Sequence, residues 1–111
     1  AAGELKHGPI SLIEEGTPVI ALATDEALFD KTFSNIREVK SRGANVLLIT
    51  NQEALSADFP ADEIYRLPKF SPFLMPSLSV LPLQGIAYYI ANCRGCDIDK
   101  PRNLAKSVTV E

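Results

Sequence analysis

The sequence predicts an α/β fold: a parallel sheet of about three strands flanked by helices, incomplete by itself, with an irregular C-terminal tail. Pro18-Val-Ile-Ala-Leu-Ala23 and Asn45-Val-Leu-Leu-Ile-Thr50 are short continuous apolar runs, the pattern of strands buried on both faces. Between them Phe29, Phe33, Ile36 and Val39 recur at helical spacing, while Asp30, Lys31, Arg37 and Glu38 lie off that stripe. A strand, a helix and a strand in this order form a right-handed parallel crossover.

Each element has its own signals. Thr24 and Asp25 offer N-cap oxygens, and Asp25 with Glu26 places negative charge at a helix start. Gly43 supplies the left-handed residue that stops the helix. The connection from Asn51 to Asp62 holds one helical turn, from Gln52 to Leu55. Glu63-Ile-Tyr-Arg-Leu67 reads as a third strand of alternating character, ended by Pro68. From Ser71 to Cys93 there are 23 residues without a charge. They predict a long apolar helix, broken near Pro76 or Pro82, regular from Leu83 to Asn92 and stopped by Gly95. Five polar residues (Ser71, Ser77, Ser79, Gln84 and Asn92) and three prolines dilute it too far for a membrane span, which needs ~20 predominantly apolar residues. Burial against other protein fits it better.

Residues 1–95 thus carry the α/β pattern and residues 96–111 the tail. Three strands and two long helices leave a sheet edge and one face to be covered, by the rest of a longer chain or by a second copy.

Composition narrows the function. The 111 residues are 46% hydrophobic and 23% charged, enough for one domain with a core. The net charge of −3 argues against a general nucleic-acid binder, and any anionic ligand must be held by local cations. The two cysteines, Cys93 and Cys96, cannot form a disulfide framework. A zinc site would need two more ligands, and the single histidine, His7, is far away in sequence. The pair reads as incidental free thiols. The first residue is Ala1 and the sole methionine is Met75, so a processed form or a piece of something longer is expected. Nothing from Ala1 to Ile10 resembles a signal peptide; with only two cysteines, a cytoplasmic location is expected.

Two stretches could carry chemistry. Glu4-Leu-Lys6-His7-Gly8-Pro9 gathers a carboxylate, an ammonium and the imidazole, with Gly8 free to let a ligand or backbone approach. Imidazoles exchange protons near neutrality; the alternative is a surface turn with assorted charges. Lys100-Pro-Arg102-Asn103-Leu104-Ala105-Lys106 puts three cations in seven residues. These could grip a phosphate or carboxylate, or Lys106 could form a Schiff base with a ketone. At the ordinary lysine pKa of ~10.4, fewer than roughly one amine in a thousand is neutral at pH 7, so desolvation or a nearby cation must lower it. A solvated basic tail is the alternative.

The stretch from Ala1 to Pro9 and the terminus Pro101-Arg-Asn-Leu-Ala-Lys-Ser-Val-Thr-Val-Glu111 closely resemble the end of the glutamine–fructose-6-phosphate aminotransferases (isomerizing), the glucosamine-6-phosphate synthases. The order of elements between them resembles the second sugar-isomerase (SIS) domain of that family. The resemblance spans the whole chain, with residues 1–95 as part of that domain and 96–111 as a lid loop. It implies an SIS-type sheet and a parent enzyme that makes glucosamine 6-phosphate from fructose 6-phosphate and glutamine. It also implies a homodimer, no cofactor and no metal.

By resemblance, His7 opens the sugar ring and reaches the neighbouring subunit's site. Lys106 engages the open-chain ketone as a Schiff base, and Arg102, Asn103, Leu104 and Ala105 belong to the loop that closes over the sugar and lines an ammonia route. The family's proton-shuttling glutamate, its phosphate loop in the first SIS domain and its glutaminase cysteine would lie before Ala1. On this reading the 111 residues are inactive alone. Two other readings are an SIS phosphosugar isomerase or deaminase lacking a glutaminase, and a non-catalytic SIS module that senses sugar phosphates.

Overall fold

The computed structural model describes residues 1–100. Three parallel strands, β1 (Pro18–Ala23), β2 (Asn45–Thr50) and β3 (Glu63–Arg66), form one sheet in the order β1-β2-β3. Pro18 is opposite Asn45 and Ala23 opposite Thr50; on the other side Leu47 meets Glu63 and Thr50 meets Arg66. The chain divides into two compact units, residues 1–79 and Val80 onward.

In the first unit the core is built around β2, the only strand paired on both sides. Leu48, Ile49 and Thr50 are each 0% exposed. The Thr50 hydroxyl donates to the Ala23 carbonyl at 2.7 Å and accepts the Gln52 N–H at 3.1 Å, so its burial leaves nothing unpaired. Helix α1 (Phe29–Lys40) supplies Ile36 and Val39, which bury with Ala23, Ala44, Val46 and Leu48.

The expected helix start is a two-step one. Asp25 Oδ1 accepts the Ala27 N–H at 2.9 Å and caps a 3-10 turn, Glu26–Leu28, that precedes α1. At the far end Gly43 has φ 89°, and a Cβ there would lie 2.0 Å from Glu15 Oε2 and 2.8 Å from Glu15 Cα. Only glycine satisfies both the left-handed backbone and the close approach of Glu15.

Three local expectations fail, two of them for non-local reasons. No helical turn forms from Gln52 to Leu55. Arg66 Nη1 takes the Gln52 and Glu53 carbonyls at 2.7 and 3.2 Å, and Phe59 stacks on Phe33 with centroids 4.8 Å apart. These contacts set the connection's path from outside it. Strand β3 does not alternate: all four residues are exposed, and it stops at Arg66, one residue before the buried Leu67. An edge strand with one partner has less to bury. Nor is the long apolar helix broken: α2 runs continuously over Met75–Cys93. Pro76 lies in the first turn, where its missing N–H costs nothing, and Pro82 removes a single ladder bond.

The unit containing Val80 onward carries most of α2 and its end. Leu81, Tyr88, Tyr89 and Ile90 are exposed in this chain, so the burial expected for this helix is not supplied by the described residues. Gly95 (φ 67°) stops it as expected. The Cys96 N–H bonds the Ala91 carbonyl at 2.9 Å and the Gly95 N–H the Asn92 carbonyl at 3.0 Å, the paired bonds of a Schellman cap. Cys93 and Cys96 are free and exposed. No helix among the described residues is long and apolar enough to cross a membrane.

One side-chain cluster joins α1 to β2 and to the residue before β3. Lys40 Nζ donates to Asp62 Oδ1 and Oδ2 at 2.5 and 2.6 Å and to the Ala44 carbonyl at 3.1 Å; Asp62 Oδ2 also accepts the Val46 N–H at 2.6 Å. The Lys40 hydrogen bond, helped by the Val46 amide, holds the Asp62 carboxyl below its ordinary value. A lowered folded-state value favours the folded chain fully above the unfolded carboxylate range of ~3.9, and the benefit disappears as pH falls through the folded value. Thermal melts across that range are expected to show a shallower acid loss for Asp62→Asn than for the parent chain, with a lower melting temperature at neutral pH. Identical acid limbs would contradict the clamp.

Candidate functional site

His7 ends a 3-10 helix, Ala2–His7, and a second one, Pro9–Leu12, starts two residues later. The join is Gly8, with φ 147° and ψ −53°. A Cβ on Gly8 would meet nothing within 4 Å among the described residues, so within them glycine is required by the backbone conformation. Pro9 opens the second turn with its fixed φ, and Ser11 closes it by donating both its N–H and its hydroxyl to the Gly8 carbonyl, at 3.0 and 2.7 Å. His7, the last residue of the first 3-10 helix, is exposed.

Among the described residues, Lys6 is the one side chain of the cluster expected around His7 with an ionic partner: its Nζ is 3.1 Å from Glu38 Oε2 on α1. Glu38 was legible only as a charge off the apolar stripe; a lysine and a glutamate 32 positions apart give no local signal. Arg102, Asn103, Leu104, Ala105 and Lys106 lie outside the described residues, as does the terminal motif they belong to. The described part of the tail leads toward them through a turn in which Asp97 Oδ1 accepts the Asp99 and Lys100 N–H groups at 3.1 and 2.9 Å.

A cavity of about 680 Å³ opens at the C-terminal ends of the strands, where open α/β sheets bind ligands. Thr24, Asp25, Glu26 and Ala27 line it after β1, Asn51 and Gln52 after β2, and Lys69, Phe70 and Met75 after β3. Its chemistry disfavours phosphate. The Ala27 amide is already taken by the Asp25 carboxylate, Glu26 adds a second negative charge, and Asn51 Oδ1 is a buried acceptor without a partner among the described residues. Lys69, the one cation in the lining, is 3.6 Å from Glu53. Among the described residues no group of three or more His, Cys, Asp or Glu could hold a metal ion.

Residues 1–92 match the SIS domain family. The chain belongs to that family. This SIS chain is 59% identical to the glutamine–fructose-6-phosphate aminotransferase (isomerizing) of Clostridium tetani over 111 residues, which is 100% of this chain and 18% of that protein. It is 57% identical over the same span to the enzyme so named in Bacillus subtilis. Among solved structures, the C-terminal domain of glucosamine-fructose-6-phosphate aminotransferase from Francisella tularensis has a TM-score of 0.78 at 33% identity, covering 87% of this chain and 28% of that one. The SIS chain therefore spans less than a fifth of the length of the curated relatives it matches. The likeness agrees with the SIS-type parallel sheet expected from the sequence.

The cavity's charge gives a direct expectation. Titration of inorganic phosphate or fructose 6-phosphate at millimolar concentration is expected to leave the amide resonances of residues 24–27, 51 and 69 in place. Saturable shifts across those positions would show that the strand ends bind phosphate after all.

Proposed function

We propose that this chain is the C-terminal part of the isomerase half of a glutamine-dependent aminotransferase that makes glucosamine 6-phosphate and glutamate from fructose 6-phosphate and glutamine. The observation that carries the reading is identity of 59% over 111 residues to a protein of that name, together with the motifs Lys6-His7-Gly8-Pro9 and Leu104-Ala105-Lys106-Ser107. In this reading residues 1–95 are part of the second SIS domain and residues 96–111 its closing tail. The protein is a cytoplasmic homodimer, and the 111 residues do not turn over by themselves.

The chemistry divides between two side chains. Opening the sugar ring moves a proton from the anomeric hydroxyl and delivers one to the ring oxygen, which an imidazole can do by using one nitrogen as acceptor and the other as donor. The exposure of His7 at the end of its 3-10 helix, just before Gly8 and Pro9, suits a group that must reach beyond its own chain. The Lys106 amine then adds to the C2 ketone, and water leaves to give an imine at which ammonia can exchange for the lysine. Ammonia must be kept from water, where it would be protonated and lost, and Leu104 and Ala105 provide an apolar cover with Arg102 and Asn103 on the sugar. The carboxylate that moves the proton between C1 and C2 comes from outside this chain.

Full-length enzyme tests the roles separately. Lys106→Ala and Lys106→Arg are both expected to reduce glucosamine 6-phosphate formation by ~10²-fold or more, because arginine keeps the charge but cannot form the imine. His7→Asn is expected to lower sugar conversion by about 10²-fold, within the usual range for a lost general acid–base, with glutamine hydrolysis far less affected. Near-normal product formation by Lys106→Arg would overturn the imine assignment. Equal loss of both activities in His7→Asn would remove its assignment.

A further inference from the structure

The turn that carries His7 has few anchors. Its 3-10 helix, Ala2–His7, buries no residue and has no side-chain cap, and 3-10 hydrogen bonds are poorer than those of an α-helix. Two side chains tie it to the α/β unit. Leu5 packs against the core cluster, and Lys6 Nζ lies 3.1 Å from Glu38 Oε2. An apolar contact limits how far the turn can lift from the core but is non-directional. The ion pair joins two defined atoms and constrains rotation as well.

Glu38 is well placed to impose that constraint. It precedes Val39, which is 1% exposed and locked into the core. Its second oxygen, Oε1, is 3.5 Å from Arg42 Nη1, and Arg42 also donates to the Glu38 carbonyl at 3.1 Å. The carboxylate is therefore oriented by a residue one turn along α1 and presents its free oxygen to Lys6, the immediate neighbour of His7. We infer that Glu38 is a positioning residue: acting through Lys6, it sets the direction in which the His7 imidazole points. The inference deepens the proposed function and rests on His7 being the ring-opening group.

Exposed ion pairs are individually weak, so the expected effect is modest and the test must read coupling. In the full-length enzyme, Glu38→Gln, Lys6→Gln, the double variant and His7→Asn are compared by the ratio of glucosamine 6-phosphate formed to glutamate released, at low and high salt. Each single variant is expected to lower that ratio roughly three- to fivefold. The double variant should be no worse than either single one, as for two groups acting through one contact. Raising the salt should bring the unmodified enzyme toward the variants, because screening weakens an exposed pair. Wild-type ratios in both single variants, or effects that multiply in the double variant, would overturn the role of Glu38 while a collapsed ratio in His7→Asn left His7 in place. An unchanged ratio in His7→Asn would instead overturn the reading of His7, and this inference with it.

Discussion

The unit of residues 1–79 depends on burying β2 within a parallel sheet. Leu48, Ile49 and Thr50 are fully enclosed, which requires a neighbour strand on each side and a helix over at least one face. A parallel neighbour can be reached only by a crossover, and α1 is that crossover, its Ile36 and Val39 filling the space over Val46 and Leu48. The helix must then stop abruptly to let the chain re-enter the sheet, which places Gly43 where Glu15 leaves no room for a side chain. Asp62 closes the arrangement by holding Lys40 and the Val46 amide at once. The cover is incomplete at the sheet's margins: Ile20 and Leu22 on β1 are 45% and 43% exposed, and β1 and β3 are both edges.

Those uncovered edges fit the proposal that this chain is part of a larger protein. The His7 turn leans on α1 through Leu5 and Lys6, so the order imposed by the buried strand passes outward through the helix to the exposed imidazole. The cavity at the strand ends, by contrast, is lined by carboxylates and an orphan acceptor, unsuited to an anionic sugar. In the proposed function the phosphate of a phosphosugar is therefore held by other residues, and the contributions proposed for this chain are proton transfer at His7 and the amine of Lys106.

The parts of the fold legible in the sequence were those with local causes. The apolar runs of β1 and β2 and the stripe of α1 report burial directly, and the glycines at 43 and 95 report left-handed stops. What escaped was set mostly by distant partners: the path of residues 51–62 by Arg66 and Phe33, and the featureless exposure of β3 by its edge position; the continuity of α2, by contrast, rests within the helix, which tolerates one lost bond at Pro82. The site divides in the same way. His7 could be picked out as the only imidazole, and Gly8 as a turn residue, but the Glu38 anchor of Lys6 could not. The roles of His7 and Lys106 came from motif resemblance, since three cations in a short tail look the same whether they bind, react or are merely solvated.

The imine at Lys106 is the step that separates this account from any binding or sensing role. Full-length enzyme incubated with fructose 6-phosphate and no glutamine, then reduced with borohydride, would convert that imine to a stable secondary amine. Digestion and mass spectrometry are expected to find the sugar phosphate on the peptide containing Lys106, and to find none there after Lys106→Arg. Efficient labelling of a different lysine, with Lys106 unmodified, would contradict the account.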